Sequence, residues 1–267
     1  MTGDAADLDA DPADDAAPPV VLKLGGSLIT EKDSPETLDD AALDAACDAV
    51  ADALAAGEVD RLVVVHGGGS FGHHHASEHG VSTTDGTRDA DAVAAVHGAM
   101  KRLNAQVLVR LRERGVPAVP VHPLSLAARA EGADGGLDLP LGSTATLLGE
   151  GFVPVLHGDG VATAGDGVTV VSGDELVVEL AAGVGARRVG VCSTVSGVFD
   201  GEGDVIAEID DFDAVADALG ASDATDVSGG MAAKVRELLA LDAPAYVFGA
   251  EGLAPFLRGE GAGTRID

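Results

Sequence analysis

The chain has 267 residues, 46% of them hydrophobic, enough to fill one large α/β core or two small ones. Against 16 Lys and Arg stand 45 Asp and Glu, a formal net charge of −29, which argues against nucleic acid or an anionic membrane as a partner over most of the surface. Acidity spread along the whole length suits a high-salt cytoplasm, where self-repulsion is screened.

Aromatic residues make up 3% and Trp is absent, so the core must be built from Val, Leu, Ile and Ala. Lysine is the most informative residue type. Only Lys23, Lys32, Lys101 and Lys234 occur, against twelve Arg, so each lysine needs a reason. Cys47 and Cys192 lie far apart and outside any CxxC pair, which supports neither a disulfide framework nor a cysteine zinc site. A reduced intracellular protein is the simpler expectation. No apolar run approaches the roughly 20 residues that span a bilayer.

In chain order, residues 1–19, MTGDAADLDADPADDAAPP, are acidic and rich in Ala and Pro, the opposite of a signal peptide. They are expected to form a disordered tail ahead of a single domain over 20–267. Strands are predicted at VVLKL (20–24), RLVVVH (61–66), PAVPVH (117–122), FVPVLH (152–157), VTVVS (168–172), RRVGVCS (187–193) and AYVFG (245–249). Helices are predicted at about 38–56, 89–114, 174–184, 211–219 and 230–241, the first from Leu43, Ala46, Cys47, Val50 and Leu54 on one face. FDGEGDVIAEID (199–210) reads as a β-hairpin insertion. Strands alternating with helices imply a mostly parallel sheet covered on both faces, an α/β sandwich whose ligands sit beyond the carboxyl ends of the strands.

Glycines mark those ends. In KLGGS, Lys23 lies inside the strand and Gly25 and Gly26 follow, so bare amides and an ammonium can converge on an anion. The bland alternative is a simple turn, but a lysine in an apolar strand is costly unless paired with an anion. HGGGSFGHHHA (66–76) repeats the pattern, and the bulky Phe71 is expected to anchor it to the core. HGDG (157–160) and SGD (172–174) end later strands, and DVSGGMAAKV (226–235) sets Gly229 and Gly230 at a helix start with Lys234 one turn in.

The Walker A order is absent, and GGGSFG is a weak Rossmann match with no acidic residue at the expected distance. No G-x-S-x-G elbow occurs. HASEH (75–79) fits the H-x-x-E-H zinc string, but a catalytic zinc needs a third ligand in register, and no metal-ligand role is assigned. Phosphoryl transfer needs positioning and charge neutralisation, which lysines and glycine amides supply.

Taken together, VLKLGGSLITEKD, VVVHGGGSFGHHHA, PVLHGDG, VVSGDELV and TDVSGGMAAKV resemble the amino acid kinase superfamily, and most specifically its isopentenyl phosphate kinase branch, through the His that closes GGGSFGH. The resemblance implies an open αβα sandwich, an acceptor-binding part to about residue 160 and a nucleotide-binding part beyond it. It implies a homodimer that uses ATP and Mg²⁺ to phosphorylate isopentenyl phosphate in an archaeal mevalonate route. By likeness, Lys23, Leu24, Gly25, Gly26 and Ser27 meet ATP, with Gly69, Thr194, Gly230 and Lys234. Lys32 neutralises transition-state charge, Asp174 orients the lysines, and Gly68, Gly72, His73, Gly158 and Gly173 serve the acceptor. Val93, Val96 and Met100 are expected to line a pocket for its apolar tail. STVSGV (193–198) departs from the superfamily's TDVDGV, placing Thr194 and Ser196 where acids usually stand. A kinase of a carboxylate or a nucleoside monophosphate, and a non-catalytic oxyanion binder, remain as alternatives.

Overall fold

A computed structural model describes residues 17–130, 136–216, 219 and 230–267. Residues 1–16 of the expected tail, the segment 226–229 and part of the helix expected at 211–219 lie outside the described residues.

Strands β1 (Val20–Leu24), β2 (Leu62–His66), β3 (Ala118–Pro120), β6 (Val153–His157), β9 (Arg188–Cys192), β10 (Glu208–Ile209), β11 (Ala245–Phe248) and β12 (Thr264–Ile266) form one sheet in the order β10-β12-β11-β9-β1-β2-β6-β3. Every pairing is parallel except β11 with β12. The first half of the chain builds outward from β1 on one side and the second half on the other. A crevice between the halves is where such sheets bind ligands.

Four helices follow the expected positions, α2 (Asp40–Ala55), α4 (Ala90–Glu113), α6 (Gly173–Gly183) and α7 (Gly230–Leu239), while the short α8 (Leu253–Leu257) was not foreseen. Asp39 caps α2 by accepting from the Ala42 N–H at 2.9 Å, and Asp89 caps α4 by accepting from Asp91. Ser172 caps α6, accepting from the Glu175 N–H at 3.1 Å.

Strand parity divides the core. Val20, Leu22, Leu24, Leu62 and Val64 pack under α2, α4 and α8, while Val21, Val63, Val65, Val189 and Val191 pack under α6 and α7. Each fully buried Val or Leu contributes about 1.5–3 kcal/mol. Lys23 alternates with Leu22 and Leu24, so it stands on the α6 and α7 face.

The sequence did not foretell a second, four-stranded sheet, β5-β4-β7-β8, made of β4 (Ala128–Arg129), β5 (Leu137–Asp138), β7 (Asp159–Thr163) and β8 (Gly167–Val171). The VTVVS strand belongs here, antiparallel to β7, and not to the main sheet. Three further helices were also unforeseen: α1 (Gly26–Ile29), α3 (Gly69–Glu78) and α5 (Gly142–Gly149). The 199–210 segment does fold back on itself, with Phe199 bridging Val205 and the Asp200 N–H donating to Asp204.

Candidate active site

The register aligns the strand ends. Leu24 pairs with His66 and with Cys192, His66 with His157, and Phe248 with Cys192. The residues that follow, Gly25, Gly67, Gly158, Ser193 and Gly249, therefore open onto one edge.

Two glycine loops interlock at its centre. A Cβ on Gly26 would overlap the Gly69 nitrogen, and one on Gly67 would crowd the Gly26 nitrogen. Gly69 has φ +48, and a Cβ there would run into Thr30 Oγ1. That hydroxyl ties the loops together, donating to Gly26 O at 2.8 Å and accepting from the Ser70 N–H at 3.0 Å. Phe71 is 5% exposed and anchors the loop as expected.

Because α3 begins at Gly69, inside the glycine run, the open amides are fewer than the sequence implies. Gly72 N–H donates to Gly68 O at 2.9 Å and its Cα packs against Met100. The N–H groups of Gly68 and Gly69 take no acceptor among the described residues, and they stand at a helix start that favours anions. Gly158 N–H donates to His66 O at 3.0 Å, so its backbone joins β2 to β6.

Charge gathers beside these amides. Lys23 Nζ donates to Asp174 Oδ2 at 2.8 Å, and Lys234 Nζ lies 3.6 Å from Asp174 Oδ1. Burial alone would raise the Asp174 carboxyl, but Lys23 and then Lys234 outweigh it and hold it below the usual range. A Cβ on Gly173 would touch Lys23 Cε at 3.2 Å, so glycine lets the start of α6 close onto the lysine. Gly230, at φ +69, opens α7 and sets Lys234 one turn in. Lys23, Gly173, Asp174 and Lys234, predicted from three separate motifs, thus meet in space.

Lys32 is exposed on a hairpin closed by the Thr30–Leu38 bridge and by Glu31 N–H to Thr37 O at 2.9 Å. The hairpin is clamped to α3 and α4 through Glu36, which accepts from Arg102 Nε at 3.0 Å and Nη2 at 2.6 Å and pairs with His75 Nε2 at 2.6 Å. Arg102 first, with His75 helping against burial, lowers the Glu36 carboxyl to about 2. His73 is exposed on α3 without such ties, and His74 lies 3.9 Å from Glu78. His75, Glu78 and His79 do bring one ligand atom each within 4.8 Å of one another, while His75 Nε2 is engaged by Glu36.

Two recesses flank the centre. An open groove beyond β1, β9 and β11 joins Ser27 to Thr194 and Ser196, with Phe199 and Glu251 on its walls. A small, mainly apolar cavity lies between α4 and the second sheet, lined by Val81, Ala92, Val93, Val96, Val168 and Gly160. Val93 and Val96 line this cavity, whereas Met100 packs behind Gly68 and Gly72.

Sequence reasoning missed a buried polar chain under the loops. His66 Nε2 meets Asn104 at 3.2 Å, His122 Nδ1 meets His157 Nε2 at 2.8 Å, and His97 Nδ1 meets Asp159 at 2.9 Å. The recurrence of His directly before glycine at two strand ends was the available signal. Nothing in the sequence marked Glu36.

Residues 18–241 match the model of the amino acid kinase family. The chain is 66% identical over 247 residues to an isopentenyl phosphate kinase of Haloferax volcanii, covering 92% of this chain and 98% of that protein. It is 33% identical to an isopentenyl phosphate kinase of Methanothermobacter thermautotrophicus, over 83% of this chain and 86% of that one. Among solved structures, an isopentenyl phosphate kinase superposes with a TM-score of 0.76 at 27% identity, covering 92% of this chain and 99% of its own. By sequence and by fold, the chain is a member of the amino acid kinase family.

Proposed function

We propose that this chain transfers the γ-phosphoryl group of ATP to isopentenyl phosphate, giving isopentenyl diphosphate, as a cytoplasmic homodimer in a mevalonate route of a salt-adapted archaeon. The observation that carries the acceptor is the course of α4. Met100 packs against Gly68 and Gly72, and Val96 and Val93, which line the apolar cavity, follow about 6 and 10 Å along the same helix. An anion held at the glycine amides can therefore lay a short apolar tail along α4.

The residues present suit a triphosphate. Lys23 and Lys234 supply positive charge, Gly69 supplies an N–H with no acceptor among the described residues, and Ser27 and Thr194 share the neighbouring groove. Asp174, the carboxylate between the lysines, is taken by them, so Mg²⁺ is expected to arrive on the nucleotide phosphates, where it neutralises part of their charge. The acceptor, a phosphate monoester with a second pKa near 6, arrives largely ionised and needs no carboxylate base. The chain's task is to hold two anions in line: Gly68 and His73 on the acceptor, Lys23, Lys234 and Lys32 offsetting the repulsion. Gly173 lets Asp174 hold Lys23 in place.

An assay of ADP release with isopentenyl phosphate, dimethylallyl phosphate, glutamate and UMP tests the acceptor. Turnover should be fastest with isopentenyl phosphate, and preference for glutamate or UMP would overturn the proposal. His73→Ala should lose at least about a hundredfold in kcat/KM for the acceptor while ATP binding persists. Full activity in that variant would remove His73 from the mechanism.

A further inference from the structure

His66 ends β2 fully buried, and burial pushes its pKa down to about 4, so the ring is neutral near pH 7. A neutral imidazole has one N–H and one lone pair. Its Nδ1 lies 3.1 Å from Gly67 O, which can only accept, so Nδ1 carries the proton and Nε2 must accept. Nε2 lies 3.2 Å from Asn104 Oδ1, and Asn104 Nδ2 is buried with no hydrogen-bond partner among the described residues. Two acceptors do not pair, so the amide is assigned the other way round, with Nδ2 donating to the Nε2 lone pair, an exchange of O and N that leaves its outline unchanged. The opposite tautomer would set a lone pair against Gly67 O and leave the amide donor unpaired, at a cost of about 1–3 kcal/mol.

The consequence reaches the loop. A trans peptide points its C=O and N–H in opposite directions, and no cis bond occurs among the described residues. With Gly67 O drawn to the buried ring, the Gly68 N–H points away from the core, and it takes no acceptor among the described residues. Glycine on both sides leaves this peptide without a Cβ to restrain it. Unheld, it could turn its carbonyl outward and present a negative dipole to an anion. His157 repeats the device one strand over, with Nδ1 on Gly158 O at 2.9 Å and Nε2 accepting from His122, and its ring stacks on His66 at 5.5 Å between centroids.

We propose that His66, fixed in its Nδ1–H tautomer by Asn104, is a positioning residue that locks the Gly67–Gly68 peptide with the Gly68 N–H facing the acceptor phosphate. The identity of the anion rests on the function proposed above; the lock itself does not.

Two measurements test it. In wild-type enzyme labelled with ¹⁵N-histidine, the ring-nitrogen spectrum at pH 7 should show a neutral His66 protonated at Nδ1, assigned by its loss in a His66 variant. An Nε2–H tautomer or an imidazolium would overturn the lock, whatever the substrate. His66→Leu fills the space without a donor and should raise KM for isopentenyl phosphate by about tenfold or more, with KM for ATP changed far less. His66→Asn carries an N–H near the place of Nδ1 and should recover most of that loss. Equal impairment of both variants, tracking their loss of Tm, would reduce His66 to packing. If His66→Leu does not fold, the spectrum and His66→Asn still decide. Absence of wild-type turnover with isopentenyl phosphate would instead count against the proposed function.

Discussion

Asp174 is the residue on which most of the site's charge turns. It faces Lys23 and Lys234 together, and its side chain is 24% exposed while that of Lys23 is 8% exposed. Asp174→Asn keeps the shape but leaves two ammonium groups facing each other with one less anion. We expect a stability loss of about 2 kcal/mol, below the value for a fully buried pair because Asp174 and Lys234 reach solvent. Inorganic triphosphate should raise Tm more in Asp174→Asn than in wild type, since the added anion replaces negative charge that Asp174 no longer supplies; an equal or smaller rise would contradict this. KLGGS, SGD and GGMAAK each announced their member of the cluster, because a lysine or aspartate beside glycines at a strand or helix end has few structural uses. Asn104 and His97 escaped notice because a polar residue inside an amphipathic helix looks solvated until the fold is known.

At the scale of elements, the Lys32 hairpin shows how little of a loop is written locally. Its anchor, Glu36, has φ +48, a conformation that costs a non-glycine residue about 1–2 kcal/mol. The hold from Arg102 and His75 must offset that cost. Glu36→Gln keeps the length but loses the ionic pairing, and should cost about 1 kcal/mol in stability, as expected for a partly exposed pair. It should lower kcat more than it raises KM for ATP, because a looser hairpin places Lys32 less well. The pH dependence has a definite sign. The folded carboxyl titrates near 2 against 4.5 for an unperturbed group, so its contribution is complete above about pH 4.5 and fades as pH falls toward 2. Urea denaturation should give a constant difference between wild type and Glu36→Gln from pH 6 to 8, narrowing below pH 4.5. A difference that grows on acidification would contradict the clamp. The helix α3 was unreadable for a related reason: Gly69 and Gly72 are poor helix formers, and tertiary contacts with Thr30 and Met100 override that propensity. Strands β4 and β5 are two residues long, too short for any periodic signal.

For the whole molecule, the central sheet was legible because β1, β2 and β6 are predominantly apolar runs buried at every position, which a covered parallel sheet accommodates. The charge was equally plain, but its arrangement was not. Part of it is matched: Arg110 on α4 and Arg114 just past its end reach across to Asp40, Asp44 and Asp48, one turn apart along α2. Sixteen basic residues cannot match 45 acidic ones, so most of the net −29 remains as mutual repulsion in the folded state. Added salt acts on both parts with opposite signs. It weakens the surface ion pairs, each contributing about 1 kcal/mol or less, and it shortens the range of repulsion from about 10 Å at 0.1 M to about 3 Å at 1 M. The many unpaired carboxylates outnumber the pairs, so Tm at pH 7 should rise with KCl through the molar range. The same titration near pH 5, close to the isoelectric point of about 4.3, starts from a smaller net charge and should give a shallower slope. A Tm at pH 7 that is flat or falls with KCl would mean that the ion pairs, and not the excess acidity, govern the salt response of this fold.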